Sequence, residues 1–334
     1  MFRNVHLQDF LGTSNKRIQW VDTAKYICIL FVILSHVDSD LSPLIPFYTP
    51  FFLKGFFFLS GYVYRAPSSF KRHIEKKTKE LLIPWFIWSN VDIILSSILS
   101  FNSHQPLKDE LINNLFQIRG SGDGLWFINA LFVAYIPFYF IIKKFKLIYA
   151  CVVSGALSVI CFIYSSLGGS PLPWHIEYMF TAAFWMVLGL FFKKMIEPYF
   201  DKLNSIANGV VLFLVYIAFV YVDFEIFVVS SYLNTLIGIL FLIAACKTIK
   251  ANIYINFVGQ NTLAYFAFHG KVISILTHFL PSCFIFLPFD FPDRVIGTTI
   301  SDIVITLFTS LILIIPTIIV KKIAPWSLGR WATK

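Results

Sequence analysis

Apolar runs of roughly 17 to 25 residues recur along the whole chain, each long enough to cross about 30 Å of hydrocarbon as a helix. They fall near 18–37, 50–64, 81–101, 124–142, 147–168, 174–192, 206–222, 227–246, 253–279 and 298–320. Stretches such as Tyr26 to Leu34 and Ser310 to Val320 do not alternate apolar with polar, which excludes the pattern of a β-barrel. The expected fold is therefore all-α and polytopic, with about ten transmembrane helices in one bundle. Between the runs there are only loops, none of them long enough for a soluble domain with its own core. Residues 1–334 read as a single integral-membrane domain, with a first helix at about 18–37, a basic loop at 65–80 and a last helix at about 298–320.

Composition agrees with the pattern. The chain is 57% hydrophobic and 13% charged, with a mean hydropathy of +0.75, whereas soluble domains are about one-quarter charged. The formal net charge of +9 comes from short basic clusters placed between apolar runs. That distribution speaks for membrane topology and against nucleic acid. Arg65 to Lys79, Lys143 to Lys146 and Lys193-Lys194 would share one side, while the other would hold only Lys108, Arg119 and Arg294. The positive-inside rule then puts both termini in the cytoplasm of a multi-pass inner (plasma) membrane protein. The first run leads into Ser35-His36-Val37-Asp38 without a cleavage site, so the first helix is expected to remain as an anchor. Of the five cysteines, Cys28, Cys151, Cys161 and Cys246 lie inside apolar runs and Cys283 lies elsewhere; none forms a C-x-x-C, so they read as packing residues.

The first helix carries an anomaly. Asp22, Lys25 and His36 lie within it, and an ionisable residue at the bilayer centre costs about 2.5 kcal/mol or more, so it normally faces an interior or a wet cavity. Lys25 and His36 are eleven positions apart, which is three helical turns plus about 20°, one face and about 16 Å of rise. One reading makes Asp22 and Lys25 an i, i+3 pair with a snorkelling lysine, and His36 a boundary residue. The other uses the separation: a cation holds an extended anionic cofactor, and a neutral imidazole acts as general base on a hydroxyl. Asp38 is a candidate for raising the basicity of His36.

Other polar positions carry two readings each. The hairpin from Arg65 to Lys79 is either topogenic or a grip for phosphates, with Arg72 and Lys76 one turn apart if helical. His269 is either a satisfied interior histidine, hydrogen-bonded to a backbone carbonyl or to Tyr265 one turn before it, or a substrate contact. Trp126 is either an interfacial belt residue or an aromatic platform for a sugar ring. Ser60 and Asn129 either knit helices together or support the chemistry, Asn129 as an oxyanion donor. Ser60 lacks a nucleophile-elbow context. His36, His175, Glu177 and His269 match no metal-binding spacing, so no metal is expected. No inverted repeat is apparent, which counts against a transporter, although a transporter or flippase of a lipid-linked sugar stays as the alternative.

The ordered motifs add a resemblance. Asp22-x-x-Lys25-x10-His36 is followed by Phe56-Phe-Phe-Leu-Ser-Gly-Tyr62, Lys76-Lys-x-Lys79-x-Leu-Leu-Ile-Pro84-Trp, Leu125-Trp-Phe-Ile-Asn-Ala-Leu131 and Gly259-Gln-Asn-Thr-Leu-Ala-Tyr265-Phe-Ala-Phe-His269. Together they resemble the membrane acyltransferase-3 family, most nearly its fucose 4-O-acetyltransferase-like branch. The resemblance implies transfer of an acetyl (acyl) group from cytoplasmic acetyl-CoA, as co-substrate, to a sugar hydroxyl of a cell-envelope polysaccharide or lipid-linked glycan. It implies that His36 is catalytic and that Lys25 is the basic member of the pair, a lysine where many relatives have arginine. Arg72, Lys76 and Lys79 then become candidates for acyl-CoA binding. Trp126, His269 and Tyr265 become candidates for the acceptor, with Asp22, Ser60 and Asn129 in support. Membrane lipids surround the whole, and no nucleic acid is called for.

Overall fold

The computed structural model describes residues 17–37, 43–99, 106–118, 124–221, 227–284 and 294–331. Among these residues every regular element is helical. Seven helices among the described residues are long and apolar enough to cross a membrane: Gln19–Val37, Phe70–Ile98, Trp126–Lys144, Leu147–Ser166, Pro173–Leu203, Val228–Thr248 and Val295–Ile323. The protein is therefore an all-α, multi-pass membrane protein.

The other three runs of the sequence take different forms. Ile206–Tyr221 is apolar but shorter. The Phe-rich run forms a helix only over Phe52–Tyr62, preceded by a separate turn of helix at Ile45–Tyr48; Pro46 and Pro50 stand around that turn, and a proline fixes φ and removes an N–H, which interrupts a continuous helix. The run at 253–279 divides into Ile253–Gln260 and Thr262–Phe284. There Asn261 leaves helical geometry, and its side-chain amide donates to the carbonyl of Phe257 at 2.6 Å, the local competition that asparagine offers to a helix.

The chain forms two compact units, each discontinuous in sequence. One comprises Ile18–Phe56 and Leu203–Ile323 and is called here the His36 unit. Its helix Gln19–Val37 packs against Ile253–Gln260, Thr262–Phe284, Phe227–Thr248 and Arg294–Ile312. It does so through Val21, Ala24, Cys28, Val32 and neighbouring Ile29 and Ile33, all nearly inaccessible, which is the i, i+3, i+4, i+7 stripe of a buried helix face. At Gly259 a Cβ would overlap the backbone carbonyl of Asp22, so glycine alone permits this approach. Phe31 stacks on Tyr48 with centroids 5.3 Å apart, and Tyr216 donates its hydroxyl to the carbonyl of Phe47.

The other unit, Met1–Arg17, Phe57–Lys202 and Ala324–Lys334, is called the basic-loop unit. Its core includes Phe57, Phe58, Phe138, Met186 and Phe192. Gly61 faces the Met186 carbonyl and Gly189 faces that of Phe58, each with no room for a Cβ. Two helices thus meet backbone to backbone through small residues, the packing that membranes favour because dispersion must replace the hydrophobic drive. Trp88 of helix Ile83–Leu99 donates to the carbonyl of Ser327 at 2.8 Å, which fastens the last helical turn, and Trp331 beyond it donates to that of Lys79 in the basic loop at 3.0 Å.

Candidate functional site

Helix Gln19–Val37 is unbroken, so the spacing read from the sequence holds and Lys25 and His36 lie on one face about three turns apart. Asp22 is buried, Lys25 is half-buried, and His36 is exposed at the C-terminal end. The unit brings a second imidazole to the same place. The ring of His269, only 4% exposed, lies 4.7 Å from the ring of His36, centroid to centroid, at an interplanar angle of 47°. Residues distant in sequence thus form a two-histidine cluster. His269 also makes the local bonds of an interior histidine: its Nδ1 lies 2.9 Å from the carbonyl of Phe266 and 3.2 Å from that of Tyr265. These bonds are those of the satisfied interior histidine, the first of the two readings.

Hydroxyls of the later helices join to one another nearer Lys25. Tyr265 donates to the carbonyl of Ser310 at 3.0 Å, and the Ser310 hydroxyl shares a 2.7 Å bond with Tyr254. Tyr254 meets Tyr26, the neighbour of Lys25, edge to face at 5.7 Å. Tyr265 is wholly inaccessible, so it orders the helix that carries His269 and is no direct acceptor contact in this form. Asp38, proposed from sequence as a helper of His36, lies outside the described residues.

In the basic-loop unit, Ser69 caps helix Phe70–Lys77 by accepting from the backbone N–H of Arg72, one of the orphan donors of a helix start. The helix then passes through a π-helical turn, Thr78–Leu82, a feature often found at functional sites. Beside it is a cavity of about 310 Å³ whose lining includes Arg65, His73, Lys76, Lys77, Glu80 and Tyr135. Lys77 is the most enclosed of these cations, with 14% of its side chain exposed; its Nζ stands 2.8 Å from Glu80 Oε2 and 4.1 Å from the centre of the Tyr135 ring. His73 is buried, within 3.2 Å of the Tyr135 carbonyl through Nε2 and 3.3 Å of the Tyr64 hydroxyl through Nδ1.

Of the three donor-site lysines and arginines expected from sequence, Lys76 lines this cavity, while Arg72 and Lys79 do not. Arg72 donates to Ser68 at 3.1 Å, and Lys79 lies over the Trp331 ring. The reason is helical: Arg72 and Lys76 share a face, but the cavity is walled also by the chain before the helix, which brings in Arg65, and by the next face, which brings in Lys77. Ser60, expected in a supporting role, is part of the same wall.

Trp126 packs on His175, with ring centroids 5.2 Å apart. His175 is buried, and its Nδ1 is 3.8 Å from Glu177 Oε1. Trp174 and His175 adopt left-handed backbone conformations at φ 60° and 54°, an uncommon state for residues with side chains, so the helix expected from 174 begins with a distorted turn. Asn129 is wholly buried, and neither atom of its amide has a hydrogen-bond partner among the described residues. No group of histidine, cysteine, aspartate and glutamate suited to a metal ion occurs among the described residues.

These features define an integral-membrane protein with a histidine pair and a basic cavity. Comparison with known families places it: the acyltransferase domain of the membrane acyltransferase-3 family matches residues 18–320. The chain belongs to that family, and its activity is that of a membrane acyltransferase. Neither the curated proteins nor the solved structures gave a match.

Proposed function

We propose that the protein is an acetyl-CoA-dependent O-acetyltransferase that acts on a sugar hydroxyl of a cell-envelope polysaccharide or lipid-linked glycan. The observation that carries this reading is the pair of imidazoles, His36 and His269, at the end of a helix whose same face bears Lys25. His36 takes the hydroxyl proton as the oxygen attacks the thioester carbonyl. The C–O bond forms, the C–S bond breaks, and the imidazolium returns its proton to the departing thiolate. Imidazole suits this shuttle because it changes charge near neutral pH. Lys25 stands about 16 Å along the helix axis from His36, so it serves the length of the donor and not the reacting carbonyl.

The donor carries several phosphates, and the cations of the basic-loop cavity, Arg65, Lys76 and Lys77, have the charge and enclosure to hold one. Charge-assisted bonds of this kind are about twice as strong as neutral ones. The basic loop is cytoplasmic in this scheme, as are both termini. About ten membrane passages, the seven long helices together with the three shorter segments, carry the single functional domain in the inner membrane. Trp126 offers an aromatic face to the acceptor sugar, and Asn129 and Asp22 remain supporting residues. The test is transfer of labelled acetyl from acetyl-CoA to the glycans of the native membrane by the purified chain. His36→Ala should retain its thermal transition and lose transfer by at least about a hundredfold, within the range that general acid–base catalysis supplies. Near-normal turnover in that variant would remove His36 from the mechanism.

A further inference from the structure

The hydrogen bonds of His269 decide which of its nitrogens is available. A carbonyl oxygen only accepts, so the nitrogen that faces two of them, Nδ1 at 2.9 Å from the Phe266 oxygen and 3.2 Å from the Tyr265 oxygen, must carry the hydrogen. In the neutral ring the lone pair is then on Nε2. The shared bond to the helix backbone also fixes the ring in place, as does the Phe266 ring at 5.8 Å. His269 therefore presents one oriented acceptor and no free donor.

Its neighbour matters equally. Two imidazoles joined by an in-line N–H···N bond have their centres a little over 5 Å apart, about 5.2 Å, because each ring adds its own radius to a donor–acceptor distance of about 3 Å. Here the centroids are 4.7 Å apart with the planes tilted by 47°, so the rings lie side by side and do not engage each other end to end. His36 is exposed while His269 is almost covered. A group that reaches His36 thus comes close to a second, fixed imidazole.

We infer that His269 is a specificity-determining residue whose Nε2 accepts a hydrogen bond from the hydroxyl adjacent to the one that is acylated, so that the acceptor class is a vicinal diol on a sugar ring. The inference rests on the reading of His36 as the base. Neighbouring hydroxyls of a ring lie within hydrogen-bonding distance of each other, and each offers one hydrogen to one imidazole of the pair. An acceptor without the second hydroxyl leaves a nearly buried lone pair unsatisfied, the situation in which polar sites discriminate most strongly.

The experiment uses the full chain in detergent or nanodiscs with acetyl-CoA and two minimal probes, cis-cyclohexane-1,2-diol and cyclohexanol. Ester formation and CoA release are both followed. The wild type should favour the diol in kcat/KM by roughly ten- to a hundredfold, the range set by leaving one buried acceptor unsatisfied. His269→Phe, which keeps a ring and removes the lone pair, should bring that ratio close to the statistical value for two hydroxyls against one. His269→Gln, whose carbonyl accepts a hydrogen bond, should keep part of the preference. Equal use of the two probes by the wild type, transfer to neither, or a preference that survives in His269→Phe overturns the inference. A fall on both probes by the same factor in His269→Phe marks a structural role and overturns it as well. CoA release driven by glycans of the native membrane, compared between wild type and His36→Ala, tests acyl transfer separately, so a loss of the diol preference alone leaves that reading standing.

Discussion

The close approach at Gly259 gives the sharpest mechanical prediction. In Gly259→Ala the new methyl group meets the backbone carbonyl and Cα of Asp22, atoms that no rotamer change can move. Within a helix the same substitution gains about 0.5–1 kcal/mol from reduced backbone entropy. Overpacking typically costs about 1–3 kcal/mol, and a rigid backbone neighbour puts this site at the upper end, so the clash wins and the net effect is destabilising by about 2–2.5 kcal/mol. Relief requires helix Ile253–Gln260 to part from Gln19–Val37 by on the order of 1 Å, and displacements of that size at a reacting centre cost up to about a hundredfold in rate. Lys25 lies one turn from the contact, and His269 lies on the helix that follows directly. Steady-state acetyl transfer should therefore fall mainly in kcat, and thermal unfolding in detergent should occur at lower temperature. Gly209→Ala is the internal control: that glycine has nothing within 4 Å of a Cβ position, so the variant should keep its activity and gain up to about 1 kcal/mol. Wild-type rate and stability in Gly259→Ala would refute the reasoning.

Three further outcomes follow from the same geometry. Lys77→Met removes the most enclosed cation of the basic cavity and should raise KM for acetyl-CoA roughly tenfold, the equivalent of about 1.4 kcal/mol, with kcat little changed; an unaltered KM would detach the cavity from the donor. Lys25→Arg should retain most transfer because the charge stays, while Lys25→Met should lose about tenfold or more, read in the same kinetic assay, and equal rates in the two variants would show that charge at this position is irrelevant. Tyr62→Phe deletes a hydroxyl that donates to both carboxylate oxygens of Glu197 at 2.9 Å and should lower stability by about 1.5–3 kcal/mol, measured as a shift of the thermal transition.

Much of the fold could be read from the chain because a bilayer imposes one rule on every spanning segment: its backbone must bond internally, so a long apolar run becomes a helix. The first helix, Trp126–Lys144, Leu147–Ser166 and Phe227–Thr248 appear close to where hydropathy puts them. The breaks at Pro50 and Asn261 depend on local chemistry that an average over a window conceals. The donor candidates show the same limit. Helical spacing puts Arg72 and Lys76 one turn apart, but which cations wall a cavity depends also on the turn before the helix, and the cavity here is lined by Arg65, Lys76 and Lys77 while Arg72 and Lys79 lie outside it.

By itself the sequence determined an all-helical membrane protein, the Lys25–His36 spacing and the candidacy of His269, because these follow from hydrophobicity, helical period and the cost of a charge in lipid, all local properties of the chain. Only the tertiary structure decided that His36 and His269 are neighbours, that Gly259 is the point where two helices touch at the backbone, and which nitrogen of His269 is left to accept. Those facts depend on contacts between segments more than two hundred residues apart and on hydrogen bonds within a folded helix, and residue order carries no direct record of either.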